Sequence, residues 1–119
     1  MSGPADKRKH HRFLALLEVR VLPGDRIPAD LRLGTIDIAV GGARCGSNRA
    51  LPDGLTVKMT FMLVGGDLRQ PAPIDVDARV LRCVEKPGAL ENRRYEVALE
   101  FVRVEPQDRV KLQNYLNSL

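Results

Sequence analysis

The strongest constraint on the fold is a strict alternation of apolar and polar residues in two segments of the C-terminal half. The first segment alternates from Ile74 to Val80, and a second of the same quality alternates from Arg94 to Phe101. A period of two residues is that of a β-strand with one buried face. Because Lys86-Pro87-Gly88 supplies a turn between them, the two segments are predicted to be antiparallel neighbours in a hairpin with a long loop.

Less regular versions of the same pattern occupy much of the preceding chain. They predict a strand over 13–21, a less regular one over 31–38, and one over 55–64. Turn signals separate these segments at Pro23-Gly24-Asp25, Gly41-Gly42 and Gly65-Gly66-Asp67. Residues 46–54, which are rich in Gly, Ser, Asn and Pro, are predicted to form a loop.

The last segment changes to a helical period. Leu112, Tyr115, Leu116 and Leu119 follow the i, i+3, i+4, i+7 spacing of one apolar stripe, and Pro106 suits a first helical turn. The chain of 119 residues is long enough for one domain with one core. Five to seven short strands followed by one helix predict a mainly β fold, a small antiparallel barrel or sandwich whose helix covers a mouth or an edge.

Composition and the cysteines exclude several other classes of protein. No apolar run is long enough to cross a membrane, and the N-terminus lacks the apolar core of a signal peptide, so a cytoplasmic location without membrane insertion is expected. Cys45 and Cys83 lie far apart without a Cys-x-x-Cys pair, which predicts two buried free thiols and no metal site. Asp75 and Asp77 share a strand face, but no nucleophile or acid–base partner is near them in sequence, so we predict no catalytic residues and no enzyme.

The charge is concentrated at the N-terminus. The whole chain carries a net +4, and residues 1–12 hold four basic residues, Lys7, Arg8, Lys9 and Arg12, against one acidic residue. Arginine guanidinium groups can bind phosphate oxygens in pairs, contact a guanine edge or stack on a purine. A solvated basic end without specific function is the commoner alternative for an arbitrary protein. Residues 1–6 are predicted to be a flexible end.

A second candidate element is the segment from Asp37 to Gly42. A carboxylate accepts hydrogen bonds from the N1–H and N2–H₂ donors of guanine, and a glycine lets a ligand approach the backbone closely. Read alone, the segment could equally be a strand that ends in a tight turn.

In this order, the two elements resemble the PilZ domain, a bacterial receptor module for cyclic di-GMP. Arg8 and Arg12 match the family's Arg-x-x-x-Arg element, and Asp37 and Gly42 match the ends of its Asp/Asn-x-Ser-x-x-Gly element. Ala39 stands where the family usually has serine. The segment from Arg94 to Phe101 is similar to a late strand of the family, although Ala98 occupies a position often held by glycine.

The resemblance covers residues 7–119 and implies a six- to seven-stranded split β-barrel. It divides the chain into a ligand-binding arm at 7–12, a barrel at 13–104 and a C-terminal helix at 106–119. It further implies a non-enzymatic receptor without a cofactor, in which cyclic di-GMP orders the arm and an unidentified downstream protein receives the signal. A monomer or weak homodimer in the bacterial cytoplasm is expected, in a process such as motility, biofilm or polysaccharide synthesis.

The resemblance also implies a role for each site residue. Arg8 and Arg12 would clamp the phosphates and guanine faces, Asp37 would bind a guanine edge, and Gly42 would permit close approach. Apart from the resemblance, Lys7 lies directly before Arg8 and is expected to add a phosphate contact, and Arg44, two residues beyond Gly42 and on the same face, is expected to reach the site too. Ala39 removes one hydrogen bond, worth about 0.5–1.5 kcal/mol, which predicts weaker binding that is not abolished.

Two alternatives stay open from the sequence. A PilZ-like domain that has lost its ligand would serve only as a protein–protein adaptor in motility or secretion, as Ala39 and Ala98 suggest. Nonspecific nucleic-acid binding through the basic arm would predict a steep dependence on salt. The near-neutral body and the 4% aromatic content argue against a nucleic-acid polymer as partner.

Overall fold

The computed structural model describes residues 13–119, which form seven strands and one α-helix. The arm at 7–12 and the end at 1–6 lie outside the described residues. A single 3-10 turn at Glu91–Arg93 interrupts the loop before the last strand. The strands are β1 (Phe13–Leu14), β2 (Val19–Val21), β3 (Leu33–Ala39), β4 (Gly42–Ser47), β5 (Thr56–Leu63), β6 (Ala72–Glu85) and β7 (Tyr95–Val104), followed by α1 (Pro106–Asn117).

The seven strands form one curled antiparallel sheet in the order β1-β3-β4-β7-β6-β5-β2. The strands at the two ends of this order, β1 and β2, belong to one continuous N-terminal stretch, so the same segment borders β3 on one side and β5 on the other. The hairpin of β6 and β7 is confirmed, with Val80 opposite Leu99. The predicted mainly β barrel with a C-terminal helix is therefore confirmed in its half-barrel form.

The core lies on the concave side of the sheet, as the alternating pattern predicts. Every second residue from Leu55 to Leu63, from Ile74 to Val80 and from Val97 to Phe101 is buried. Helix α1 covers this core with Leu112, Tyr115 and Leu116. The hydroxyl of Tyr115 donates a hydrogen bond to the carbonyl of Val64 at 2.8 Å, which ties the helix to the end of β5.

Four details of the sequence prediction were wrong. The segment 13–21 forms two strands, because residues 15–18 pass from β3 to β5. Ala15 N–H donates a hydrogen bond to the Ile36 carbonyl in β3, and the Glu18 carbonyl accepts one from Met62 N–H in β5. Gly46 and Ser47 belong to β4, since pairing with β7 overrides their preference for turns. Leu119 is exposed and lies beyond the helix, and Cys83 is only half-buried.

The buried hydroxyl of Thr35 holds the N-terminal crossing in place. Thr35 is 1% exposed; its Oγ1 accepts a hydrogen bond from Leu17 N–H at 2.6 Å and donates one to the carbonyl of Ala15. Backbone groups that would otherwise be buried without partners are thereby satisfied. One side chain therefore fixes the stretch that connects both ends of the strand order.

We expect Thr35→Val to lower the free energy of unfolding by about 1–3 kcal/mol, the cost of leaving a buried polar group without its partner. Thr35→Ser keeps the hydroxyl and removes one methyl group, so it should cost about 0.8 kcal/mol. Urea unfolding of the two variants measures the difference. Equal losses of unfolding free energy in Thr35→Val and Thr35→Ser would show that packing, and not the hydroxyl, holds the crossing segment.

Candidate functional site

The described motif residues come together on the convex face of the sheet, at the turn between β3 and β4. Asp37 lies opposite Arg44 and Ala39 lies opposite Gly42 in the antiparallel register. Paired residues project to the same face of a sheet. The structure therefore brings together four of the seven site residues predicted from sequence.

A β-bulge determines which way Asp37 faces. The register shifts between Thr35 and Asp37, so that Ile36 is the additional residue in β3. Strict alternation would have put Asp37 on the core side with Leu33 and Thr35, as the pattern of residues 31–38 suggested. The bulge reverses the phase, and Asp37 shares the outer face with Arg44.

Arg44 connects two carboxylates from neighbouring strands. Its Nε lies 2.8 Å and its second terminal nitrogen 2.6 Å from Oδ2 of Asp37, and its other terminal nitrogen lies 3.3 Å from Oε2 of Glu96. The hydrogen bond to Asp37 raises the pKa of Arg44, so its charge is permanent at any physiological pH. Asp37 is only 4% exposed.

Short side chains form the floor next to this ion pair. Across β4 and β7, Arg44 lies opposite Ala98 and Gly42 lies opposite Glu100. Glu100 forms an ion pair with Arg79 of β6. Ala39, Gly42 and Ala98 thus place small residues between two groups of charged side chains, and Ala39 is itself only 7% exposed.

Glu96 is the site residue that the sequence reasoning missed. Its outward position follows from the alternation in β7, but its contact with Arg44 spans 52 positions of chain. Only the register between β4 and β7, which no local pattern specifies, places the two side chains together.

The N-terminal segment borders the site on the side of β3 that faces away from β4. Phe13 pairs with Ile38 and Leu14 pairs with Asp37, so the first described residues run alongside the motif strand. Lys7, Arg8 and Arg12 lie outside the described residues, and their contacts stay predictions.

Comparison with known proteins decides the family. The family model of the PilZ domain matches residues 6–118. The chain belongs to the PilZ domain family. No curated protein matches it.

Two solved structures share the fold. The PilZ domain with c-di-GMP of YcgR from Escherichia coli is 18% identical with a TM-score of 0.69, over 95% of this chain and 91% of that one. The Bacillus subtilis inhibitor of motility (MotI/DgrA) is 20% identical with a TM-score of 0.70, over 93% of this chain. The present chain spans only 50% of that protein.

Neither a metal centre nor a membrane helix is found in the part of this PilZ domain that the structure describes. Among residues 13–119, no three His, Cys, Asp or Glu side chains are grouped to hold a metal ion. No helix in the same range is long and apolar enough to span a bilayer.

Gly42 is required by the packing of this PilZ domain itself. A Cβ at this position would lie 2.2 Å from the carbonyl oxygen of Leu99 in β7, which is far inside contact distance. A Cβ at Gly34 in β3 would meet nothing within 4 Å. The glycine therefore lets β4 lie against β7, whatever it also allows a ligand to do.

Gly42→Ala should accordingly lower the free energy of unfolding by about 1–3 kcal/mol, the usual cost of overpacking. Gly34→Ala is the matched control and should be neutral or stabilising by up to about 1 kcal/mol, because it restricts the unfolded chain. Chemical denaturation measures both. A stable Gly42→Ala would contradict the close approach to Leu99.

The two thiols of this PilZ domain should differ in reactivity. Burial, with a smaller contribution from the Asp37 charge, raises the pKa of Cys45 to about 12, whereas Cys83 is half-buried. Thiolate is the reactive form, so iodoacetamide at neutral pH should alkylate Cys83 and leave Cys45 unmodified until the chain unfolds. Peptide mass mapping of native and urea-treated protein checks this. Equal native labelling of both would contradict it.

Proposed function

We propose that this PilZ domain is a non-enzymatic receptor for cyclic di-GMP, bound on the outer face at the β3–β4 turn. The observation that carries the proposal is the convergence of Asp37, Ala39, Gly42 and Arg44 on one face next to the small-residue floor. Membership of the PilZ family supports it. The YcgR structure, described as a PilZ domain with c-di-GMP, supports the same ligand class.

The geometry suits a guanine next to an arginine that can change partner. Asp37 would accept hydrogen bonds from the N1–H and N2–H₂ groups of one guanine, whose ring lies on the floor of Ala39 and Gly42. Arg44 now contacts Oδ2 of Asp37, so the base must share that carboxylate with it or displace it. A displaced Arg44 would turn to a ligand phosphate, which is also a good partner for a guanidinium.

The N-terminal arm would complete the site. Lys7, Arg8 and Arg12 supply the remaining positive charge for two phosphates, and the pairing of Leu14 with Asp37 starts the arm next to the bound base. Ordering of the arm would present a new surface to a downstream protein. Cytoplasmic location and a monomeric or weakly dimeric state belong to the same proposal.

The full chain, titrated calorimetrically with cyclic di-GMP, tests the proposal. Asp37→Ala should weaken binding by tenfold or more, because a charged hydrogen bond is worth about 1.5–3 kcal/mol. Arg8→Ala should weaken it without changing the thermal melting temperature. Asp53→Ala, in an exposed turn, is the control and should bind normally. Absence of heat at high micromolar ligand, or unchanged affinity in both Asp37→Ala and Arg8→Ala, would refute ligand binding at this site.

Ala39→Ser offers a test in the opposite direction. It restores the hydroxyl that the family usually has, so affinity should rise by a factor of about 2 to 13, the equivalent of 0.5–1.5 kcal/mol. The same calorimetric titration measures it. Weaker binding by Ala39→Ser than by the natural chain would show that the base does not lie against this position.

A ligand-free adaptor is the second candidate function. The observation that favours it is the ion pair itself, since Arg44 already holds Asp37 and Glu96 while Ala39 lacks the serine hydroxyl. It predicts no binding of cyclic di-GMP by either the natural chain or Ala39→Ser.

A further inference from the structure

A groove lined by three arginines lies at the opposite end of the β3–β4 hairpin from the motif. Arg32 precedes β3, Arg49 follows β4, and Arg94 precedes β7, so the groove forms where three neighbouring strands begin or end. Its volume is about 580 Å³, and Leu90 and Glu91 of the β6–β7 loop form its far wall. At about 3.3 Å per residue, the six steps from Gly42 to Asn48 in the groove span roughly 20 Å.

The groove is preformed by side chains that bind backbone groups. Oδ1 of Asn48 accepts a hydrogen bond from Arg32 N–H at 2.8 Å, and its Nδ2 donates one to the Asp30 carbonyl at 2.8 Å. The Ser47 hydroxyl accepts from Arg49 N–H at 3.1 Å and donates to the Arg49 carbonyl at 2.7 Å. The two arginines therefore extend from a fixed backbone, which reduces the entropy lost on binding.

The three arginines differ in the ion pairs that they form. Arg49 is held by the Asp30 carboxylate, whose pKa it lowers. Arg94 lies 3.4 Å from Glu85 and 5.8 Å from the centre of the Tyr95 ring, with its side chain mostly exposed. Arg32 makes no ion pair with any residue in the described range. Arg32 and Arg94 therefore have donors to offer to a further anion.

Arg94 is the centre of the surface. It also lines two adjoining grooves of about 540 and 350 Å³: one next to Tyr95, which shares Asp30 and Arg49 with the first groove, and one next to Lys86. Arginine and tyrosine are, with tryptophan, the residue types enriched at the energetic centres of protein interfaces. An exposed arginine at the junction of three open grooves, next to a tyrosine, has the character of such a centre.

We propose that this surface, defined by Arg32, Arg49, Leu90 and Arg94, binds an acidic segment of a partner protein that also carries apolar side chains. A guanidinium group can form two parallel hydrogen bonds to one carboxylate, so Glu or Asp side chains complement Arg32 and Arg94. Leu90 is 75% exposed and offers an apolar contact that no phosphate group would use. Asp30 and Glu91 reduce the net charge of the groove lining to +1, which suits the sparse charge of an acidic peptide better than the dense charge of a polyphosphate.

Binding of a labelled peptide to the full chain tests this surface without reference to cyclic di-GMP. The probe is a short fluorescent peptide of Glu, Leu and Gly. The control peptide has Gln in place of every Glu and so lacks the negative charges. Arg94→Glu and Arg32→Glu should each weaken the Glu peptide tenfold or more, and Leu90→Ser should weaken it severalfold. Arg103→Glu, at an exposed arginine on the other end of β7, is the charge-matched control and should leave binding within twofold.

Inorganic tripolyphosphate distinguishes a peptide surface from a phosphate site. The proposal predicts that the Glu peptide binds more tightly than tripolyphosphate and that Leu90→Ser affects the peptide alone. Equal binding of the Glu and Gln peptides, equal losses in Arg94→Glu and Arg103→Glu, or tight binding of tripolyphosphate alone would each overturn it. Melting temperatures of the variants, together with the unchanged calorimetric titration of cyclic di-GMP by Arg94→Glu, would exclude misfolding and keep this result separate from that for the motif site.

Discussion

The β-bulge between Thr35 and Asp37 is the constraint on which both the fold and the candidate site depend. On its inner side, the Thr35 hydroxyl binds the crossing segment through Leu17 and Ala15 and so joins the two ends of the strand order. On its outer side, the extra residue places the Asp37 carboxylate next to Arg44. A regular strand would satisfy only one of these demands, because residues two apart share a face. The bulge in β3 thus lets Thr35 point into the core and Asp37, two residues later, point to the outer face.

The ion pair of Asp37 and Arg44 determines what a ligand must do to enter. An exposed pair between such groups is worth at most about 1 kcal/mol, and salt screens it. This one combines a buried carboxylate with a side chain that is 38% exposed, and removal of one partner would leave the other poorly solvated. In the proposed receptor, a guanine edge that replaced Arg44 at Asp37 would keep the carboxylate hydrogen-bonded, while Glu96 and a ligand phosphate would do the same for the guanidinium. The exchange would therefore cost little only for a ligand that carries both a hydrogen-bond donor edge and an anionic group.

Sequence patterns predicted those parts of this PilZ domain that depend on periodicity. The strands around Ile74 and Tyr95, their hairpin and the helix from Pro106 all follow from local spacing, because burial of one face imposes it. The break within 13–21, the strand at Gly46 and the bulge at Ile36 do not, because tertiary pairing sets them against local preference. In the candidate site, motif resemblance pointed to Asp37, Ala39 and Gly42, and the two-residue spacing from Gly42 pointed to Arg44. Neither identified Glu96, whose role depends on register, or the contact of Gly42 with Leu99, which depends on strand packing.

The β3–β4 hairpin carries two surfaces of different chemistry at its two ends, and its packing argues that they act independently. β4 is paired along its whole length with β3 and β7, and Gly46 near the groove packs under the side chain of Arg93. Packed interiors resist small deformation, so a ligand at the turn would not reshape the groove through the hairpin. Coupling between the surfaces would require an element that is held less firmly. The crossing segment borders β3 next to Asp37 and also meets β5, but the Thr35 hydroxyl holds it in place, so among the described residues it does not supply such an element.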